Sequence, residues 1–256
     1  MYDTRRAAAS INFYNMSYGE VIDIFENLEF KSLSDYVRLA ESYMSFCKWK
    51  KFQNTVRLII SHLEILVCVH EDFRFEIMYW KYKSATGYAQ QKSIAKAKEA
   101  FEDILKILPD DYYRHLNHKI YMHAGIFYGK QMNMDKAEKF FNMSWELSKK
   151  FYQNHPLRSE KRVISVRKDF EAEFCHNKGA VLADAYQCEK AEELLLQSLE
   201  IKLELLGKDS IHPDIGLRYH ALGNVYLGLM LLQKAIEYQE KAMEHFKSSP
   251  HNNLVR

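Results

Sequence analysis

The chain has 256 residues, 47% of them hydrophobic, and its 36 basic and 34 acidic side chains leave a formal net charge of +2. A charge so nearly balanced excludes general attraction to nucleic acid or to a membrane surface, so a charged partner must bind a local patch. The longest apolar stretch, residues 56–69, is interrupted by polar side chains and is shorter than the ~20 residues that a membrane span needs. We therefore expect no membrane partner, and we favour a protein partner over nucleic acid.

Proline and glycine are scarce, with four and nine residues respectively. This scarcity favours an all-helical chain, because both residues interrupt helices. The four prolines fall where helical hairpins should end. In chain order we expect helices at residues 17–28, 33–47, 50–70, 72–89, 91–108, 111–130, 134–153, 157–186, 188–206, 213–229 and 232–247.

The cysteines indicate a reducing compartment. They are far apart, form no CxxC pair and follow no secretory signal; they are Cys47, Cys68, Cys175 and Cys188. We expect buried, reduced thiols and a cytoplasmic protein. The first ten residues include two arginines and three alanines, so a mitochondrial transit peptide is an alternative to a frayed tail.

A repeated pattern runs through the chain. A small residue is followed three positions on by an aromatic or aliphatic residue, twelve positions on by alanine, and sixteen positions on by an apolar residue. The copies are Ala85-Tyr88-Ala97-Phe101, Gly125-Tyr128-Ala137-Phe141, Gly179-Leu182-Ala191-Leu195 and Gly223-Tyr226-Ala235, the last with Gln239 in the apolar position. This period predicts an all-α fold, a right-handed α-α superhelix or solenoid of stacked helical hairpins.

Within each hairpin, we expect the small residue of the first helix to face the alanine of the second. Gly125 would then face Ala137, and the two backbones could approach closely. A weaker copy of the pattern is expected near Thr55, with Tyr43 in the small position.

This arrangement resembles the tetratricopeptide repeat family over about residues 33–247. The successive alanine-like positions are 42, 40, 54 and 44 residues apart, compared with ~34 in the standard repeat. Units of this length resemble those of kinesin light chains, as does the linker sequence LGKD at residues 206–209 followed by HPDI at residues 212–215. The resemblance implies one repeat domain of about five hairpins at 17–247, between a flexible N-terminal tail at 1–16 and a C-terminal tail at 248–256.

The 54-residue step implies an insertion of about ten residues near 157–168. This segment carries a basic patch of Arg158, Lys161, Arg162, Arg167 and Lys168, with Glu160 as its only acidic residue. Two interpretations stay open. The segment is either an elongated first helix with a solvated basic face or a docking patch for an acidic peptide or a phosphate-bearing surface.

Sequence motifs for catalysis are missing: no Gly-rich phosphate loop, HExxH, GxSxG or CxxC occurs. We therefore expect neither enzyme activity nor a cofactor. His115 and His118 have an i, i+3 spacing that can hold a metal, but no carboxylate or cysteine completes a ligand set, so no metal site is predicted.

The resemblance implies that the first helices of the hairpins line a concave peptide-binding groove. Register assigns to this groove the residues Tyr79, Tyr82, Lys119, His123, Lys130, His176, Asn177, His220 and Asn224. Asparagines at such positions hold the backbone of an extended peptide in this family, which implies that role for Asn177 and Asn224. His220 and Ala221 stand where a chaperone-tail clamp needs basic residues, so the resemblance does not extend to that ligand.

We therefore predict a non-enzymatic adaptor or scaffold that binds a peptide segment of a partner protein. One alternative is RNA binding by the basic and aromatic groove residues, including Lys83. Another is a ligand-responsive regulatory repeat domain. The last hairpin has no polar capping helix after it, which also suggests self-association through that hairpin.

Overall fold

The computed structural model describes residues 18–28, 31–67, 73–108 and 114–247. Within these ranges it contains eleven helices and no strand. The helices are α1 Tyr18–Glu26, α2 Leu33–Ser45, α3 Trp49–Val67, α4 Phe73–Gln90, α5 Ile94–Ile107, α6 Arg114–Lys130, α7 Met134–Gln153, α8 Lys161–Asp184, α9 Cys188–Leu206, α10 Pro213–Gly228 and α11 Leu232–Lys247. Most boundaries lie within three residues of those expected from the sequence, so the all-helical prediction is confirmed.

The chain divides into two compact units, Met1–Leu116 and Asn117–Arg256. In the first unit, α2 pairs with α3 and α4 with α5, while α1 packs on α2 and α3 on α4. In the second unit, α8 pairs with α9 and α10 with α11, and α10 also packs on both α8 and α9. Helices α6 and α7 are joined by a hydrogen bond from Ser144 Oγ to the His118 carbonyl, 2.7 Å long. The described helices α2–α11 therefore form five successive hairpins. The predicted single domain and its two tails stay a prediction.

Every hairpin turn contains one non-glycine residue in the left-handed region, with φ between 53° and 59°. These residues are Cys47, Lys92, Met132, Tyr186 and Met230. In the third hairpin, the Met132 N–H donates to the Gly129 carbonyl at 2.8 Å, and the Asn133 N–H donates to the Tyr128 carbonyl at 3.0 Å. This pair of bonds is the Schellman motif, which satisfies the last carbonyls of a helix. The same pair recurs in the other four turns.

The shared turn corrects the register predicted for the first hairpin. The Lys48 N–H donates to the Tyr43 carbonyl at 2.8 Å, as Asn133 does to Tyr128. Ala40 and Phe52 therefore occupy the small and alanine-like positions, instead of Tyr43 and Thr55. Both residues are fully buried.

The small residue approaches the alanine as expected in the fourth hairpin, where the Ala191 carbonyl would lie 3.3 Å from a Cβ atom added to Gly179, but its nearest neighbour is a different side chain. A Cβ atom added to Gly125 would first meet the Phe141 ring at 3.1 Å, which lies one helical turn beyond Ala137. The corresponding distance from Gly179 to Leu195 is 2.9 Å. The small residue therefore makes room for the side chain at the fourth position of the pattern. Ala137 is fully buried within the same helix.

Helix α8 begins later than expected, at Lys161, with Glu160 at its N-cap. Residues 157–160 form turns, in which the Arg158 N–H donates to the His155 carbonyl at 3.1 Å and the Glu160 N–H to the Leu157 carbonyl at 3.0 Å. The Leu157 N–H also donates to His155 Nδ1. The extra residues of this repeat are thus divided between an exposed connection and a helix of 24 residues.

The expectation of buried cysteines is wrong for Cys47, which is exposed. Its position as the left-handed residue of the first hairpin turn places its side chain outside the packed helices. Cys175 and Cys188 are buried, as predicted. Cys68 lies outside the described residues.

The turn residue Tyr186 offers a test of the hairpin closure. Its φ is 58° and its side chain is 86% exposed, so it contributes strain and little packing. Tyr186→Gly should raise the free energy of unfolding by about 1 kcal/mol, because glycine adopts this conformation without a Cβ clash. Urea denaturation of the variant and of Tyr186→Ala would check this. A similar gain for alanine would contradict it, since alanine keeps the strain.

Candidate functional site

The two predicted tyrosines lie in the first unit, on α4. Tyr82 is buried and Tyr79 is half-buried, and their ring centroids are 6.5 Å apart. The Lys83 ammonium lies over both rings, 5.4 Å from the Tyr79 centroid and 5.8 Å from that of Tyr82. Burial, and then the charge of Glu41, raise the pKa of the Tyr79 hydroxyl. Because Tyr79 is half-buried whereas Tyr82 is buried, Tyr79 is the more accessible of the two for a ligand.

The other seven predicted residues belong to the second unit. They are Lys119, His123 and Lys130 on α6, His176 and Asn177 on α8, and His220 and Asn224 on α10. The Asn177 side chain reaches α6, where its Nδ2 lies 3.9 Å from Met122 Sδ. Helix α10 packs on α8. We call the surface formed by these seven residues, together with Glu173 of α8, the first-helix face.

Asn177 is half-buried and only partly engaged. Its Nδ2 donates to the Glu173 carbonyl of the preceding turn at 2.9 Å. Its Oδ1 accepts no hydrogen bond from any described residue. A free acceptor held by a fixed amide suits an N–H group of a ligand.

Asn224 takes part in a network that the sequence did not reveal. His220 Nδ1 lies 2.8 Å from Gln239 Oε1, and Asn224 Nδ2 lies 3.4 Å from His220 Nε2. Gln239 Nε2 donates to Asn224 Oδ1 at 3.0 Å. These contacts are mutually consistent when the His220 proton is on Nδ1. Asn224 is therefore positioned by its neighbours at both ends of its amide.

Gln239 explains why the last repeat departs from the pattern. A Cβ atom added to Gly223 would lie 2.6 Å from Gln239 Nε2, so the amide occupies the space that Phe141 fills over Gly125. The sequence marked this position only as an exception. In the structure, the exception brings a polar side chain beneath His220 and Asn224.

A buried cluster of charges supports the first-helix face from below. Lys202 of α9 is 3% exposed, and its ammonium lies 2.5 Å from Asp169 of α8 and 3.1 Å from Asp214 of α10. Arg218 is 4% exposed, and it donates to Ser198 Oγ at 3.3 Å and to the Asp214 carbonyl at 2.9 Å. Three helices are therefore held together by two buried cations.

The same cluster shapes the protonation of the α8 side chains. Burial, followed by the charge of Asp169, raises the pKa of Glu173. Burial, followed by the charge of Arg218, lowers the pKa of His176 to about 4. His176 Nδ1 is buried and accepts no hydrogen bond from the described residues. Neutral pH thus leaves His176 uncharged on this face.

The structure spreads the predicted basic patch over a loop and several sides of α8. Arg158 lies in the turn before the helix, and at 100° per residue Arg162 and Arg167 point in directions 140° apart. Arg167 lies 3.6 Å from Glu171. Lys168 is paired with Glu204. Arg158, Lys161 and Arg162 are exposed.

The structure describes the side chain of only one histidine of the pair that was considered as a metal site. The side chain of His115 lies outside the described residues. His118 is buried against the rings of Phe151, Tyr152 and Phe170, with its centroid 4.6 Å from that of Phe170. In the described part of the chain, no three His, Cys, Asp or Glu side chains are grouped as metal ligands. None of the described helices has the length and apolarity to cross a membrane.

Removing the central cation of the buried cluster should destabilise the second unit. In Lys202→Met, Asp169 and Asp214 would lose their shared partner, and the free energy of unfolding should fall by about 1–2 kcal/mol, because both carboxylates are partly exposed and water can solvate them. Lys190→Met, at an exposed position of the same helix, should change it by less than about 0.5 kcal/mol. Equal effects of the two substitutions in urea denaturation would argue against a structural role for the cluster.

The depressed pKa of His176 predicts a pH dependence of stability. The unfolded chain takes up a proton as the pH falls below the ordinary value of 6.5, whereas folded His176 does so only near 4. Stability should therefore fall by about 1–2 kcal/mol more in the wild type than in His176→Gln between pH 7 and pH 5. Denaturation of both proteins at these pH values checks this. Parallel pH profiles would show that His176 titrates alike in both states.

Comparison with known proteins identifies the repeat. Residues 172–214 match the family model of the tetratricopeptide repeat. The chain is similar in structure to BtubC (BKLC) from P. vanneervenii, with a TM-score of 0.59 and 17% identity over 97% of this chain and 92% of that chain. A putative kinesin light chain from Podosopora anserina with nearly identical TPR-like repeats aligns with a TM-score of 0.49 and 17% identity, over 83% of this chain and 93% of that chain. No curated protein matches the chain significantly.

The BtubC likeness extends over nearly the whole chain and shows a shared fold. The matched segment 172–214 runs from α8 through α9 to the start of α10, so it comprises one hairpin and its connection to the next. It is longer than the ~34 residues of the standard repeat. The other four hairpins share its turn and register. Residues 172–214 are therefore similar to the tetratricopeptide repeat, and the chain as a whole shares a helical-hairpin fold with BtubC, in agreement with the resemblance noted from the sequence.

Proposed function

We propose that this chain is a non-enzymatic adaptor or scaffold that binds an extended peptide segment of a partner protein on the first-helix face. Tetratricopeptide repeats generally mediate interactions between proteins. The described cysteines are free thiols, which supports a reducing, cytoplasmic setting.

One observation carries the proposal: α8 presents polar side-chain oxygens that accept no hydrogen bond from the described residues. Asn177 Oδ1 accepts no hydrogen bond from the described residues, although its Nδ2 is fixed to the Glu173 carbonyl. The Glu173 carboxylate likewise has no hydrogen bond or ion pair with any described residue, although the charges of Lys202, Lys119 and Arg218 oppose the rise that burial causes in its pKa. A packed helix that leaves half-buried acceptors open is prepared for a ligand with N–H donors.

An extended peptide supplies such donors. Its backbone presents N–H and carbonyl groups at regular intervals, and Asn177 and Asn224 can pair with them on neighbouring helices. Because both asparagines are already oriented, binding requires little additional ordering of the receptor. Lys119, exposed on α6, and His220 on α10 flank these amides and would contact peptide side chains.

The RNA-binding alternative has weaker support. Arg167 and Lys168 already pair with Glu171 and Glu204, so part of the basic segment is neutralised. Self-association has a surface to act on, because α11 exposes Leu232, Ile236 and Met243, each more than half accessible. It remains a proposal secondary to peptide binding.

The double variant Asn177→Ala/Asn224→Ala tests the proposed face. Partner proteins captured from a lysate by the wild type should be retained about tenfold less by this variant, because two backbone contacts are lost. The matched control is Asn54→Ala/Asn154→Ala, which alters two exposed asparagines outside α6, α8 and α10. The captured segment, made as a synthetic peptide, should show the same loss by calorimetry.

Two outcomes would contradict this assignment. Equal capture by the two double variants would remove the asparagines from the binding site. RNA that is retained at low salt, released at moderate salt and unaffected by either variant would favour nucleic-acid binding. Thermal melting of all proteins excludes unfolding as the cause of a loss.

A further inference from the structure

A pocket lies among α7, α8 and α9 of the second unit, with a volume of about 190 Å³. Its lining residues are Asn142, Trp145, Phe174, Cys175, Lys178, Leu194 and Gln197. At 100° per residue, the mean direction of Phe174, Cys175 and Lys178 lies about 150° from that of Glu173, His176 and Asn177, although Phe174 and Asn177 themselves are only about 60° apart. The pocket is therefore separate from the first-helix face, and it involves the second helices of two successive hairpins.

The size of the pocket limits its occupant. Sites for metabolites and cofactors usually measure about 300–1,000 Å³, so this pocket is too small for them. An apolar cavity of about 150 Å³ accepts benzene. A volume of about 190 Å³ thus has room for one aromatic side chain.

The walls suit an aromatic ring. The Trp145 and Phe174 ring centroids are 4.9 Å apart with planes inclined at 31°. Phe174 is 6% exposed and the Lys149 ammonium lies 5.4 Å from the Trp145 centroid, so a third ring packs against the ring edges that stay open. Cys175 is 2% exposed, and burial raises the pKa of its thiol to about 11. A neutral sulfur beside an aromatic guest is a favourable contact. Leu194 completes the apolar lining.

The mouth suits a peptide backbone. Asn142 and Gln197 are exposed, and neither side-chain amide forms a hydrogen bond with a described residue. Each can donate and accept, so the two can pair with the peptide groups on either side of an inserted residue. Lys178 adds no net charge, because its ammonium lies 2.9 Å from Glu138. The pocket therefore does not require an acidic ligand.

We propose that this pocket is an anchor site for one aromatic side chain of an extended segment in a partner protein, on a surface separate from the first-helix face. The ring inserts against Trp145 and Phe174, while Asn142 and Gln197 hold the flanking backbone. An adaptor with this site engages a second protein segment from the side of its second helices.

The test uses the full chain and N-acetyl-L-phenylalaninamide as the probe. In proton–nitrogen NMR spectra, titration should shift the indole N–H signal of Trp145 saturably and leave those of Trp49 and Trp80 unchanged. Trp145→Phe assigns the signal. Toluene, which has the ring without the backbone, should bind about tenfold more weakly, because it cannot pair with the two amides.

The blocking variant is Asn142→Trp, which places a large side chain at the mouth and should weaken probe binding at least about tenfold. Its matched control is Gln153→Trp, an exposed amide on the same side of α7 about 16 Å farther along the helix, which should bind like the wild type. Should Asn142→Trp fail to fold, Gln197→Trp blocks the opposite rim.

Three results would overturn the proposal. The Trp145 signal could fail to saturate, or the blocking variant could bind the probe as the wild type does. Toluene could also bind as tightly as the amide probe, which would make the pocket a simple apolar cavity without backbone recognition. Asn177→Ala/Asn224→Ala should bind the probe normally, so failure of this site is distinguishable from failure of the first-helix face.

Discussion

The constraint on which this structure depends is the fixed turn that closes each described hairpin. One left-handed residue, such as Met132 or Tyr186, is followed by a hydrogen bond back to the helix it ends. Because the turn never changes length, it determines which side chains of the two helices meet. Gly125 meets Phe141, and Gly179 meets Leu195, at the same step from the turn.

Hydrogen bonds between the helices obey the same register. Ser144 Oγ donates to the His118 carbonyl in the third hairpin, and Ser198 Oγ donates to the Ala172 carbonyl in the fourth. The second serine also accepts from Arg218 of the next hairpin. Ser198, which the turn places against α8, thus also contacts Arg218, one of the two buried cations that link α8, α9 and α10.

Sequence periodicity was enough to predict the helices and four of the hairpins, because a glycine or an alanine recurs where backbones approach. It failed at the first hairpin, where Phe52 occupies the alanine-like position. The structure supplies the reason: a Cβ atom on Gly87 of α4 would lie 2.8 Å from the Phe52 ring, so the next hairpin makes the room. The pattern within a single repeat cannot predict this contact, because Phe52 and Gly87 belong to successive hairpins.

The candidate site was predictable only in part. Register pointed to Asn177 and Asn224 but could not show that one amide keeps a free oxygen while the other is held through Gln239. Lys202 was missed because a lysine in an amphipathic helix is typical of a solvated surface. Its burial depends on Asp169 and Asp214, which are distant in sequence and come together only when three helices pack.

The exposed connection before α8 has a consequence for how such a chain can change in length. Residues 154–160 precede the helix and lie outside the closed turn, and most of their side chains are exposed. Residues added there alter neither the step from a small residue to its turn nor the step from the turn to the partner helix. Repeats of unequal length can therefore coexist in one array. Insertions between hairpins leave the helix packing unchanged, whereas insertions within a hairpin shift which side chains meet.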